Sequence, residues 1–572
     1  MKRRTVWLGA MAVAVTFGLA LVQGVPGPVT PDQVVPDRSS PLTAVIRLWP
    51  PVAALLVIFL TRNALVGLLC GAAAGALLLA GGHPLTAAQD LVTRDLLPHF
   101  RSSWKMGAIA FTLLLGGFAG MLEAGGGFTR LVRGRAAESA TRLEGAAAGL
   151  GLLCFFDGLA NSMVVGRVTR DLADRQGVAR AKLAYIVDST SSAVACLAFV
   201  STWIAFQLSM IAEAFRLAGV PANPYAVFLQ SIPFNFYCWL TLVMLFVAIR
   251  LRFHPGPMAG FVAEASLRRP LSGYSSSGSS FSGYPSSGYP PAGTAPAASP
   301  NPPADGPVRA ALLPLAVLMA SFFVFFLALG TEGPLWPLTR EKVVAAFGSD
   351  AGPLVLILAA LTASLAALVV FPRRRQVAVT AFARGTRAML APILILVAAW
   401  MLGSVIGLLD TATWLSSLAT GGLATGGGSL ALMPSLVFLT GAVISFSTGT
   451  SWGTMGILFP LTVPAAAQLG AEPGFLTIIV GAVFSGAVFG DHCSPFSDTT
   501  IVSSISCGVT PHDHVRTQMP YAFLTAGVAI VTGFLPAGFG MPSWVLLPVG
   551  ALILVGMGRF ANRDRAARGY TD

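Results

Sequence analysis

Charge is scarce in this sequence. Only 10% of its 572 residues are Asp, Glu, Lys or Arg, against about 25% in an ordinary soluble domain. A water-soluble chain of this length cannot cover its surface with so few charges. Apolar residues make up 55% of it and the mean hydropathy is +0.74. A soluble enzyme and a nucleic-acid-binding protein are excluded together, and an all-α polytopic membrane protein is expected. Cysteine is sparse as well. The six, Cys70, Cys154, Cys196, Cys238, Cys493 and Cys507, lie in or beside apolar segments without paired spacing. That excludes a disulfide scaffold and reads as free thiols serving as small apolar residues. No HExxH motif is present, which leaves an intramembrane hydrolase only paired aspartates or a His/Asp metal site to work with.

The basic residues that do occur sit in short turns between apolar runs, so the net charge of +12 reads as topogenic charge facing anionic lipid and cytoplasm rather than nucleic acid. A crossing needs about 20 apolar residues. Candidate spans are 5–25, 44–61, 63–81, 104–123, 183–210, 226–249, 310–330, 353–371, 387–409, 475–506, 520–537 and 543–559, twelve in all. The first follows Lys2-Arg3-Arg4 and is read as an uncleaved anchor rather than a signal peptide. Counting from a cytoplasmic N-terminus places 124–142 inside, with Arg130, Arg133, Arg135 and Arg142.

The apolar stretch 143–168 is flanked on its other side by Arg167, Arg170, Arg175, Arg180 and Lys182. With both flanks basic it is expected to enter and return as a re-entrant hairpin, with its tip at 156–161. The later basic clusters, Arg250/Arg252/Arg268/Arg269, Arg373-Arg374-Arg375 and Arg559/Arg563/Arg565, then all fall inside. The stretch 430–468, whose flanks hold Asp410 and Glu472 but no Lys or Arg, becomes a second hairpin from outside with its tip at 447–451. The expected organisation is an anchor and external segment at 1–43, a first membrane half at 44–253, a disordered cytoplasmic linker at 254–308, a second half at 309–560 and a tail at 561–572. Ser-Gly-Tyr recurs in that linker at 272, 282 and 287, ahead of an Ala/Pro tract that cannot bury enough apolar surface to fold.

The halves align weakly but in order. Gly120-Met-Leu-Glu123 matches Gly407-Leu-Leu-Asp410, 156–166 matches 446–456, and Asp188-Ser-Thr-Ser191 matches Asp491-His-Cys-Ser494, at offsets of 287, 290 and 303. The first unit starts from outside and the second from inside. An inverted repeat with re-entrant hairpins is a hallmark of secondary transporters, whose sites form where broken helices meet near the midplane.

Four polar clusters interrupt the apolar runs: 157–161, 188–192, 447–451 and 491–500. An ionised Asp at the bilayer centre costs roughly 2.5–3.5 kcal/mol on insertion scales, so a cation or proton is expected to compensate Asp157, Asp188, Asp491 and Asp498. Neighbouring hydroxyl and carbonyl oxygens suit a hard cation such as Na⁺, and desolvation raises a carboxyl's proton affinity. The candidate ion-binding residues are Asp157, Asn161, Asp188, Ser189, Thr190, Thr448, Thr450, Ser451, Asp491, His492, Ser494, Asp498 and Thr499. Na⁺ is assigned to Asp157, Asn161, Asp188, Ser451 and Asp498, with Asp188 and Asp498 as the exchanged carboxylates.

Structural roles compete with these. The serines could satisfy their own helix, Asp157 and Asp188 could pair with an Arg or a hairpin amide, Asp491 could cap the half-helix after its break, and His492 could be a relay or only a hydrogen-bond partner. His512-Asp513-His514 is read as a cytoplasmic surface turn, and Glu123 and Asp410 as boundary residues.

At these clusters the sequence resembles the NhaC-type sodium/proton antiporter family. The strongest match is Gly490-Asp-His-Cys-Ser-Pro-Phe-Ser-Asp-Thr-Thr-Ile501, in which Phe496 is more often isoleucine. Thr448-Gly-Thr-Ser-Trp-Gly-Thr454, Lys182-Leu-Ala-Tyr-Ile-Val-Asp-Ser-Thr190 with Ser201-Thr-Trp203, and Phe155-Phe-Asp157 with Asn161 agree as well. The likeness covers roughly 45–250 and 310–540. It implies Na⁺-coupled antiport in an inverted-repeat fold, with Na⁺ and H⁺ as transported ions and no cofactor. Many relatives carry a second acid where this chain has Gly158.

The resulting reading is a Na⁺/H⁺ exchanger of the bacterial cytoplasmic membrane with both termini cytoplasmic; a homodimer is compatible with it. The alternative is a Na⁺-coupled exchanger of organic anions such as malate or lactate, disfavoured by the scarcity of Lys and Arg within the spans, where Arg47 and Arg62 sit only at ends. An ion channel is a further alternative, with flux that is neither saturable nor proton-coupled.

Overall fold

The computed structural model describes residues 41–133, 139–267, 306–333, 336–371, 375–411 and 428–567. The expected span 5–25, Arg135, Arg373-Arg374, the flank 412–427 and most of the Ser-Gly-Tyr linker lie outside them. Among the described residues every regular element is helical, as hydrocarbon requires: a helix satisfies its backbone within itself where water is absent. Among the described residues eight helices qualify as spans by length and composition, or up to eleven if each of three bent pairs is one span. The protein is an all-α, multi-pass membrane protein.

The helices that build the site are α1 (Pro41–Thr61), α2 (Ala64–Leu79), α3 (Ser103–Gly125), α4 (Ala140–Leu153), α5 (Gly158–Gln176), α6 (Arg180–Leu197), α7 (Thr202–Ala218), α8 (Phe236–Arg250), α9 (Leu390–Leu408), α10 (Gly428–Thr448), α11 (Ser451–Gln468), α12 (Pro473–Cys493), α13 (Asp498–Cys507) and α14 (Pro511–Val528). Two expected continuous spans are broken. The run 183–210 divides into α6 and α7 with a 45° bend, and 475–506 divides into α12 and α13. A cap explains one interruption and a proline the other: Ser201 caps α7 through Trp203 N and Ile204 N, while Pro495 breaks α12 from α13. The run 226–249 also bends, by 46°, next to Asn235.

The stretch 143–168 turns between α4 and α5, where Asp157 caps α5. The stretch 430–468 turns between α10 and α11, where Thr450 is the cap and Gly449 has φ +69°. The two hairpins differ in reach. α4 has 14 residues, too few to cross, whereas α10 has 21, about 31 Å of helix against a core of about 30 Å. α10 approaches α12 closely through Gly486, where a Cβ would stand 2.6 Å from the Phe438 carbonyl oxygen. In each half the hairpin is followed by a broken helix, and the hairpins pack crosswise: α5 lies against α13 of the second half, and α11 against α7 of the first.

Ion pairs join helix ends expected on the same side of the membrane. At one end Arg47 meets Asp410 at 3.7 Å and Lys105 meets Glu213 at 2.7 Å. At the other, Lys182 meets Glu144 at 2.8 Å, Arg167 meets Glu123 at 3.4 Å, and Arg180 donates to the Gly508 carbonyl at 3.2 Å. Lys105 and Lys182 are buried within the helical region, so basic groups penetrate further than the spacing of charges implies; each is neutralised by a buried Glu. Met258–Leu267 is a helix and the last helix runs to Ala567. Helical residues are therefore found beyond the boundaries expected at 254 and 561. Apolar Met258, Phe261 and Val262 pack that helix against the body.

Candidate ion-binding site

Asp188 is fully buried in the middle of α6. Its Oδ2 accepts from Gln518 Nε2 at 2.7 Å and from His514 Nε2 at 3.3 Å, both on α14, and its Oδ1 accepts from Ser503 Oγ of α13 at 3.2 Å. Thr500 Oγ1 stands 3.5 Å from Oδ2 but donates at 2.9 Å to the Asp491 carbonyl. One carboxylate from the first half is therefore held by donors from the second. His512 and Asp513 lie at the partly exposed start of α14, as a surface turn would. His514 does not: it is fully buried. Four residues further on the same helical face, Gln518 reaches the same carboxylate and also donates to the His492 carbonyl.

The clusters 188–192 and 491–494, aligned in the repeat, face one another. Ser192 Oγ donates to Asp491 Oδ2 at 2.7 Å, and Ser189 Oγ pairs with His492 Nε2 at 2.9 Å. Tyr237 Oη takes the other ring nitrogen of His492 at 2.8 Å, so both its nitrogens are occupied. Asp491 does not cap α13. Ser497 stands at that position and gives its hydroxyl to Asp491 Oδ1 at 2.5 Å. Ser189 and Ser192 serve the second half rather than their own helix, whereas Thr190 Oγ1 bonds back to the Ile186 carbonyl at 3.0 Å.

Asp157 caps α5 through Ala160 N at 2.6 Å and accepts from Thr202 Oγ1 at 2.9 Å, tying the first hairpin tip to the start of α7. Asn161 clips that hairpin to α6 by donating to the Gly151 and Thr190 carbonyls at 2.7 and 2.8 Å; its buried Oδ1 has no partner. Asp498 differs from the other three acids in being exposed. It lies at the first position of α13, accepts from its neighbour Thr499 N at 2.9 Å, and is within Coulombic reach of Asp157, Asp188 and Asp491. Thr499 pairs with Ser497 at 2.9 Å, and Ser494 accepts from Phe496 N at 3.3 Å.

The second hairpin contributes less than expected. Thr448 bonds back to the Ile444 carbonyl at 2.7 Å, Thr450 caps its own helix through Gly453 N at 3.1 Å, and Ser451 is buried in the first turn of α11. Among the described residues no hydrogen bond joins these three to Asp188 or Asp491. Trp452 meets Trp203 and Phe206 of α7, with ring centroids at 6.3 and 4.5 Å. Residues 449–453 spell G-x-S-x-G, but Ser451 follows one helix and opens another, without the strand that a nucleophile elbow requires.

Hydroxyl, amide and imidazole donors from both halves converge on buried carboxylates within or beside broken helices, and one acid among them is exposed. Polar groups so placed within membrane helices mark an ion or substrate pathway, which is the build of a membrane transporter. The chain belongs to the Na⁺/H⁺ antiporter family, whose profile matches residues 194–538. It is 29% identical over 528 residues to a Haemophilus influenzae protein named only "uncharacterized protein", covering 89% of this chain and 95% of that one. Shorter matches of 114 residues link it to an uncharacterized Na⁺/H⁺ antiporter of H. influenzae at 37% identity (18% of this chain, 24% of the relative). A match of the same length links it to the malate-2H⁺/Na⁺-lactate antiporter of Bacillus subtilis at 35% identity (19% and 23%).

Proposed function

We propose that the protein exchanges Na⁺ for H⁺ across the bacterial cytoplasmic membrane by alternating access, with both termini cytoplasmic. The observation that carries this reading is the buried Asp188 carboxylate, which is held by groups of the opposite half. A carboxylate in that setting is compensated by one cation at a time. Na⁺ replaces the donors of Gln518, His514 and Ser503 around its oxygens, while H⁺ neutralises it directly, so occupation by one ion opposes occupation by the other. Asp498, exposed and electrostatically linked to Asp188, is the acid at which an ion first meets the site. Asp491, Ser189 and His492 keep the two halves in register around it, and Asp157 with Asn161 fixes the first hairpin.

Because donors on Asp188 come from α13 and α14, movement of one half against the other changes its coordination, which is what coupling of ion release to a change of access requires. The test is Na⁺-driven H⁺ flux in proteoliposomes holding the full chain, read with an internal pH dye. Saturable flux that vanishes in Asp188→Asn supports the reading, and no Na⁺ dependence in the unaltered protein removes it. Counterflow of labelled malate or lactate separates Na⁺/H⁺ exchange from organic-anion exchange.

A further inference from the structure

The two-residue turn between α1 and α2 holds an arginine where a helix end of this kind favours glycine. Arg62 has φ +55°, a left-handed conformation that strains any residue with a Cβ. Its amide closes α1 by donating to the Ile58 carbonyl at 2.7 Å. Glycine would do that without strain, so what the position gains from arginine is the side chain. The guanidinium lies over the Phe496 ring with its central carbon 3.5 Å from the ring centroid, stands 5.0 Å from that of Phe59, and donates to the Ser447 carbonyl. Among the described residues it has no carboxylate partner.

Three segments meet there. Gly449, at the tip of the second hairpin, is so close to Phe496 that a Cβ would stand 2.7 Å from that residue's carbonyl carbon. In the first turn of α11, a Cβ on Gly453 would stand 3.3 Å from that of Ala64. Phe496 belongs to the break between α12 and α13, two residues before Asp498. Arg62, Phe496 and Asp498 are all exposed, and a guanidinium and a carboxylate are too costly to present to hydrocarbon, so this junction lies at a face open to water.

We propose that Arg62 is the latch of a gate: stacked on Phe496 and bonded to the Ser447 carbonyl, it pins the tip of the second hairpin against the helix break beside Asp498 and closes the ion route on that face. This role rests on the antiport reading of the site. The physical grounds are two. A cation on an aromatic face and a carbonyl oxygen is held by contacts that are strong enough to order a tip and weak enough to exchange. An unpaired positive charge at the entrance to an acidic site also repels the cation that must pass, so entry requires the arginine to swing away, taking its hold on Ser447 with it. Phe496 stands where the resembling signature more often carries isoleucine, which offers no π face; the stacked latch is a feature of this chain.

The latch is tested by placing a reporter thiol at the tip, Ser447→Cys, in the full-length protein in lipid nanodiscs. Its modification by a charged maleimide is followed, with the parent chain and its mostly buried cysteines as background. Adding Arg62→Gln, or separately Phe496→Ile, is expected to raise the labelling rate severalfold, with Arg62→Lys between the two states. Phe496→Ile keeps an apolar side chain at the position and guards against loss of the fold as the cause. Labelling rates unchanged in both Arg62→Gln and Phe496→Ile overturn the latch. Labelling needs no ion flux, so the two readings fail separately. Altered labelling in a protein without Na⁺/H⁺ exchange retains the latch and removes the antiport, whereas intact exchange with unaltered labelling does the reverse.

Discussion

His514 points its Nε2 at Oδ2 of Asp188 across 3.3 Å, from 326 residues further along the chain, with both side chains fully buried. The other ring nitrogen has no partner. With Gln518 one helical turn away, this contact makes α14 part of the carboxylate's coordination, and it connects a buried acid of the first half to the closing helices of the second.

Asp188→Asn is expected to abolish Na⁺-dependent proton flux while leaving a folded protein. The amide removes the negative charge and turns an NH₂ toward donors that need an acceptor, forfeiting hydrogen bonds to a charged group of about 1.5–3 kcal/mol each. Proteoliposome flux together with size-exclusion elution of the same preparation checks both halves of this outcome.

His514→Gln is expected to retain most of the stability, since an amide N–H can replace Nε2 as donor. His514→Leu deletes the donor and is expected to destabilise by about 1.5–3 kcal/mol. Thermal unfolding of the two variants side by side measures the difference; equal midpoints would make the contact irrelevant to the fold.

Lys182 and Glu144 form a buried pair at 2.8 Å, supported by Arg252 at 3.4 Å from the other carboxylate oxygen. Lys182→Met leaves Glu144 buried with the weaker partner, and removing one member of such a pair costs about 3–5 kcal/mol. The double change Lys182→Met with Glu144→Gln is expected to recover much of that loss, because neither member of the buried pair is then charged and Arg252, partly exposed, keeps its bond to Thr141. Thermal midpoints of the single and double variants give the coupling.

Gly486→Ala is expected to push α12 away from α10, since the new Cβ meets backbone at 2.6 Å, at a cost of about 1–3 kcal/mol. Gly145→Ala on α4 meets nothing within 4 Å and gains up to about 1 kcal/mol of helix propensity. Opposite signs of the two midpoint shifts are the expected result.

The membrane class, the two hairpin turns and the polar clusters at 188–192 and 491–500 were legible in the sequence because each is local. A run of apolar residues, a capping Asp157 or a Pro495 acts within one helical turn of itself. Ser192 against Asp491 brings together two clusters that align between the halves of the sequence. Other features had no local signal. His514 sits in a stretch that reads as a polar turn, and only the packing of α14 against α6 buries it. Lys182 belongs to a basic run that reads as a loop, and only Glu144 of the facing helix makes its burial affordable.

Asp498 reads like the other membrane acids yet is exposed, because exposure depends on what neighbouring segments leave open. Thr448, Thr450 and Ser451 match the pattern of ligands, but the hydrogen bonds of Thr448 and Thr450 turn inward to their own hairpin. Periodicity, capping and hydropathy act over a few residues, and through them the sequence by itself determined the helices, their breaks and the class of protein. Which carboxylate is enclosed, which is wet and which donors reach them was decided by the tertiary structure, since those properties depend on contacts between residues hundreds of positions apart.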